Sequence, residues 1–184
     1  MIFESKNKYN VISEIEAGVS LKSDIKGAHL SRIIKVLDEM IANKVITIYS
    51  LNYVLEELVK QLELDNANIS LSFGIVYPKI TPVSKRITYL NSDIVLSGKL
   101  DNCKLEKSIS LTAQGAMLCP NSKSISKYGA HSQKCNLRTT LYGNIDNLII
   151  EEVSLDFSTT FLLLSVNSWG CIAVESFHLY YALN

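Results

Sequence analysis

Cys119 and His131 stand twelve positions apart in the stretch MLCPNSKSISKYGAHSQK, Met117 to Lys134. A thiolate and an imidazole both bind Zn²⁺, and thiolate suits a soft metal site particularly well. The same two side chains make a nucleophile and its base when a fold brings them within hydrogen-bond reach. Pro120 is restricted in φ and has no backbone donor, and the Ser and Lys residues after it favour an exposed, turn-rich segment. Spacing alone leaves three readings open: metal ligands, a nucleophile with its base, or a structural cysteine with an ordinary loop histidine.

Two other constellations carry chemical groups. If VESFHLYY is a strand, Ser176 and His178 share one face while Glu175 takes the other. A bulge or twist would bring Glu175 and His178 into one pocket. The alternative is a polar strand end with His178 packed by its ring. His29 and Arg32 lie three apart at the start of a helical pattern, which makes either an anion site or a solvated first turn. Cys171 sits among apolar residues and reads as core. Cys103 has no nearby histidine, and Cys135 alternates with Lys134 and Asn136, as a residue facing a sheet interior would. The sequence contains no P-loop, dinucleotide-binding glycine pattern, HExxH motif or zinc-finger pair, and Ser31 and Ser122 have no hydrolase elbow around them.

These groups need elements to position them. AHLSRIIKVLDEMIA places Leu30, Ile33, Ile34, Leu37 and Ile41 on one side at helical spacing. LNYVLEELVKQLEL gives a second helix with Val54, Leu55, Leu58, Val59 and Leu62 as its stripe and Glu56–Lys60 as an i,i+4 pair. Residues 1–26 read as an edge strand or arm. NISLSFGIVYPKI reads as a strand that Pro78 and Pro82 interrupt. RITYLNSDIVLSGKL, CKLEKSISLTAQGAML and QKCNLRTTLYG read as further strands, IDNLIIEEVSLDF as a short helix, and FLLLSVNSW and GCIAVESFHLYYAL as terminal strands. This order predicts an α+β fold, an antiparallel sheet with helices on one face.

The chain of 184 residues suits one compact unit, 1–184, or two modules sharing a core, drawn at 1–100 and 101–184. Apolar residues are 47% and charged residues 20%, which argues against disorder. Eighteen basic residues balance eighteen acidic ones, so neither nonspecific nucleic-acid binding nor strong self-repulsion is expected. Four cysteines, widely spaced, favour a reducing compartment over a disulfide scaffold. The first residues lack signal-peptide character, and FLLLSV is too short to span a bilayer, so no membrane partner and a cytoplasmic location are expected.

Three segments taken together go further. GAHLSRI at 27–33 resembles the GTHMSRF signature of the type IB GTP cyclohydrolases. LCPNSKSISKYGAHSQK at 118–134 is similar to that family's LCPCSK…GAHNQR motif, and ESFHLYYA at 175–182 to its ESIHxHxA motif. The order is also the family's, and YPKITPVS at 77–84 is similar to its lysine and APVS segment. The resemblance implies the tunnelling fold (T-fold), antiparallel strands backed by helices, and a homo-oligomer, typically a homotetramer, with sites near interfaces. It implies hydrolysis of the imidazole ring of GTP, or a related purine nucleotide, at C8, with release of formate and formation of a pterin precursor for folate or related synthesis.

Carried over by motif position, Cys119 is a metal-associated thiolate and His178 a metal ligand. His131 transfers protons and Glu175 recognises the guanine edge. His29, Arg32, Lys79, Ser122, Lys123 and Gln133 lie near substrate or its phosphates. The metal is Zn²⁺ or Mn²⁺, with Fe²⁺ in some members. This sequence departs from the pattern at Asn121, Tyr180 and Ala28, and lacks the acidic region before the terminal strand, as a shortened and divergent member would. Glu151 and Glu152 are the replacement carboxylates nearest that region. A noncatalytic purine- or pterin-binding protein and a purely structural oligomer are the alternatives to an enzyme.

Overall fold

The computed structural model describes residues 1–21, 27, 29–42, 45–81, 83–118, 124–125 and 132–151, without side chains at 115–118 and 132–135. The large sheet is built from β3 (Ser13–Gly18), β5 (Asn66–Ile80), β6 (Ile87–Asp101), β7 (Lys104–Leu118) and β8 (Ser132–Tyr142) in the order β3-β5-β6-β7-β8. Every neighbouring pair is antiparallel. A smaller sheet, β2-β1-β4, joins β1 (Ile2–Glu4), β2 (Lys8–Asn10) and β4 (Val45–Ile46), with β4 parallel to β1. The two helices are α1 (Leu30–Ala42) and α2 (Ser50–Leu62). This is the α+β class that the order of patterns predicts.

Strict alternation makes one face of the large sheet apolar. Ala67, Ile69, Leu71, Phe73, Ile75 and Tyr77 of β5 are buried, as are Ile94, Leu96 and Leu100 of β6 and Ile109 and Leu111 of β7. The register aligns them in rows such as Leu71–Leu96–Ile109. Helix α2 covers this face, packing on β5 and β6 through Leu51, Val54, Leu55, Leu58 and Leu62. Gly98 lets it come close, since a Cβ there would lie 2.8 Å from Leu55 Cδ1. The small sheet joins the same core where the rings of Phe3 and Phe73 meet at 4.7 Å.

Four expectations need correction. In α1 the buried residues are Ile33, Val36 and Met40, while Leu30, Ile34 and Ile41 are exposed. The seven apolar residues of that helix form an arc broad enough for more than one core face, and packing on α2 selects one. Val59 of the α2 stripe is only half-buried, with Leu51 buried in its place. Lys60 pairs with Glu57 at 3.2 Å rather than with Glu56. Pro78 does not interrupt β5 but sits opposite Tyr89. It is tolerated because β3 reaches only to Phe73, so its missing N–H faces no described strand.

The edge strand expected near the N-terminus is β3. The pairing of β6 with β7 runs across the boundary drawn between residues 100 and 101. Of the expected short helix, Ile150 and Glu151 are helical and the remainder from 152 lies outside the described residues. The two terminal strands and Cys171 also lie outside them, and so does the side chain of Cys135.

Candidate functional site

The pairing of β7 with β8 continues to its last register pair, Leu118 opposite Ser132. The segment 119–131 therefore starts and ends at adjacent strand ends. Cys119, Ser122, Lys123 and His131 themselves lie outside the described residues. Gln133 is in β8, its backbone opposite Met117.

β5 and β7 run in the same direction. The β5–β6 tip and the β7–β8 ends consequently lie at the same end of the sheet. Lys79 sits at that tip, opposite Thr88, and is half-buried. Tyr77 precedes it on the same face, fully enclosed, its hydroxyl 3.3 Å from Ser92 Oγ.

His29 and Arg32 occupy the opposite end. The His29 carbonyl accepts from the backbone N–H groups of Arg32 (2.8 Å) and Ile33 (3.3 Å), closing the first turn of α1. Both side chains are exposed. The Arg32 guanidinium donates to the Gln61 carbonyl at 2.9 Å, placing a cation on the negative end of α2. Only residues 63–65 separate α2 from β5, so Arg32 lies near the strand's beginning. Lys79 is thirteen residues further along that strand, or ~40 Å at about 3.3 Å per residue. One chain does not bring the two groups together.

Glu151 is buried and its carboxylate is occupied. Oε1 accepts from the Asn7 backbone N–H at 2.9 Å, Asn7 Nδ2 at 3.2 Å and the Tyr9 hydroxyl at 2.9 Å, and Oε2 from the Lys6 N–H at 3.4 Å. The Ile150 N–H donates to Ser5 Oγ at 3.1 Å. Burial pushes this carboxyl up, but hydrogen bonds from Ser5, Asn7 and Tyr9 outweigh it and hold Glu151 below the usual carboxylate range. Tyr9 is pushed up to about 12, first by burial and then by its bond to Glu151. Glu151 thus ties the β1–β2 turn to the chain beyond β8. Glu152, Glu175 and His178 lie outside the described residues. Among the described residues no three His, Cys, Asp or Glu side chains gather into a metal-binding group.

Sequence reasoning missed a second polar feature. Lys107 is buried on the core face of β7 and pairs with Asp146, which is partly exposed. They line a groove of about 640 Å³ with Asn52, Tyr142 and Asn144. Lys107 belongs to the alternation that buries Leu105 and Ile109 around it, so a lysine at an apolar register position was the available signal. None of the residues expected from the motifs lines this groove.

The fold defines a class: an antiparallel sheet backed by helices, with the paired ends of β7 and β8 flanking the Cys119 and His131 motif in the sequence. A family profile described as Type I GTP cyclohydrolase folE2 matches residues 1–157. GTP cyclohydrolase FolE2 of Vesicomyosocius okutanii is 32% identical over 131 residues, covering 71% of this chain and 49% of that protein. The enzyme of that name from Azoarcus is 30% identical over 145 residues, 78% and 53% of the two chains. That of Caldicellulosiruptor bescii is 32% identical over 135 residues, 73% and 51%. The chain belongs to the type I GTP cyclohydrolase FolE2 family, and its α+β architecture is consistent with the T-fold. It spans about half the length of the curated relatives it matches. No described helix is long and apolar enough to cross a membrane.

Proposed function

We propose that this chain carries GTP cyclohydrolase chemistry of the IB type: hydrolytic opening of the purine imidazole ring of GTP at C8, giving formate and a pterin precursor. The observation that carries the reading is the Leu118–Ser132 pairing, which joins the strand ends that flank Cys119 and His131 in the sequence. Family membership supplies the substrate class. Cys119 and His178 are the groups we assign to a divalent metal, and a thiolate with an imidazole suits Zn²⁺, with Mn²⁺ or Fe²⁺ as alternatives. A bound metal would acidify water for attack on C8.

The chain's own residues have separate tasks. His131 moves a proton during ring opening. Glu175 accepts hydrogen bonds from the guanine edge, while Lys79, Lys123, Arg32 and His29 face the triphosphate, and Ser122 and Gln133 add neutral contacts. Because Arg32 and Lys79 lie at opposite ends of one sheet, a site that uses both takes them from different copies of the chain. That separation supports a homo-oligomer, and we take the homotetramer as its form.

The test is incubation of metal-loaded protein with GTP under anaerobic conditions. Formate and a product that fluoresces as an oxidised pterin are expected together. Folded, metal-bound protein that yields neither is not a GTP cyclohydrolase. Purine binding without formate would instead identify a noncatalytic binder.

A further inference from the structure

Among the described residues the β5–β6 tip is a two-stranded ribbon. Beyond Phe73 no described strand pairs with the outer side of β5, and before Ser92 none pairs with β6. Its outward face carries Val76, Ile80, Ile87 and Tyr89, exposed by 58, 63, 67 and 70%, with Val83 at 92% in the turn. From Tyr77 to Ser92 the sequence has no Asp or Glu, but it has Lys79, Lys85 and Arg86. An apolar patch with a rim of one charge sign marks a docking surface rather than ordinary exposed residues.

A face of opposite character runs along α1. Ile34 and Ile41 are exposed there, and Asp38 and Glu39 line a groove of about 360 Å³ with Ile34, Lys35 and Ala42. Asp38 and Glu39 stand at the negative end of the helix, whose last turn has no basic residue. Neither makes an ion pair among the described residues, and Lys44 beyond the helix lies outside them. Helix α1 packs on α2, away from the ribbon, so a chain's own tip does not fill its own groove.

We propose that these two faces dock between copies of this chain, the basic apolar tip of one copy entering the acidic α1 groove of the next. The contact joins two different patches, so it is heterologous and generates a ring or an open array. Apolar burial supplies its attraction and the opposite charges set its direction. This deepens the homo-oligomer reading given above and is independent of the catalytic one.

The experiment measures assembly mass by sedimentation for wild type, Lys85→Glu/Arg86→Glu, Asp38→Lys/Glu39→Lys, and an equimolar mixture of the two variants. Far-UV circular dichroism checks that each is folded. Each variant alone presents like charges to itself and should lose assembly mass. The mixture presents opposite charges at both junctions and should recover it. Variants that keep the wild-type mass, or a mixture that fails to recover it, would overturn this docking while leaving another homo-oligomer in place. A wild type that is monomeric at every concentration overturns both. So does a monomer that binds phosphatidylserine vesicles and loses that binding only in the Lys85/Arg86 variant, which would make the tip a lipid-facing surface.

Discussion

Two kinds of residue carry the account at the smallest scale. Cys119, His178 and His131 are assigned different work, and metal analysis separates them. Cys119→Ala and His178→Ala should lower bound metal, whereas His131→Ala should retain it and lose turnover. Equal metal loss in all three variants would contradict the assignment. Glu151, by contrast, works for the fold. Its folded-state value lies below its unfolded one, so its contribution is complete above the unfolded carboxylate range and is lost as pH falls through the folded value. Glu151→Gln removes the charge and confronts the donors of Asn7 and Tyr9 with an amide. A cost of ~1–3 kcal/mol is expected at neutral pH. Urea titrations should show that difference shrinking as pH falls below the usual carboxylate range, and a pH-independent difference would contradict the sign. The Tyr9 shift acts in the other direction, adding stability below the unfolded phenol value that disappears as pH rises towards 12.

At the scale of elements, the turn between β6 and β7 shows how a strand pair is held in register. Asn102 and Cys103 are its two central residues, with φ of 46° and 67°. Positive φ at both positions is the type I′ arrangement, which suits Asn-Gly. Cys103 adopts it with a Cβ. Cys103→Gly should therefore raise stability by about 0.5–1 kcal/mol, read as a higher urea midpoint with unchanged slope. An unchanged or lower midpoint would mean the strain is absent. The long strands were legible in the sequence because alternation of period two runs through β5, through β6 and through the first part of β7. The face of α1 was not, because seven apolar residues around that helix satisfy more than one orientation. The mode by which β5 accommodates Pro78 was also hidden, since it depends on where the neighbouring strand β3 stops. The candidate site was legible only as motif agreement. Nothing in spacing alone states that Leu118 would pair with Ser132, and nothing local to Glu151 announces the β1–β2 turn as its partner, more than 140 residues away.

The molecule as a whole presents motif residues at two ends of one sheet. Lys79 and the Leu118–Ser132 strand ends are at one end, and His29 with Arg32 at the other. On the proposed assignment a single copy would hold two half-sites, which assembly of copies would bring together. The central claim is that the assembled chain hydrolyses GTP at C8, and the fate of that carbon tests it most directly. With GTP labelled by ¹³C at C8, the metal-loaded protein should move the label into formate, seen as a new carbon resonance, and His131→Ala should leave it in the purine. Label that stays in GTP with the folded, metal-loaded wild type would contradict the account.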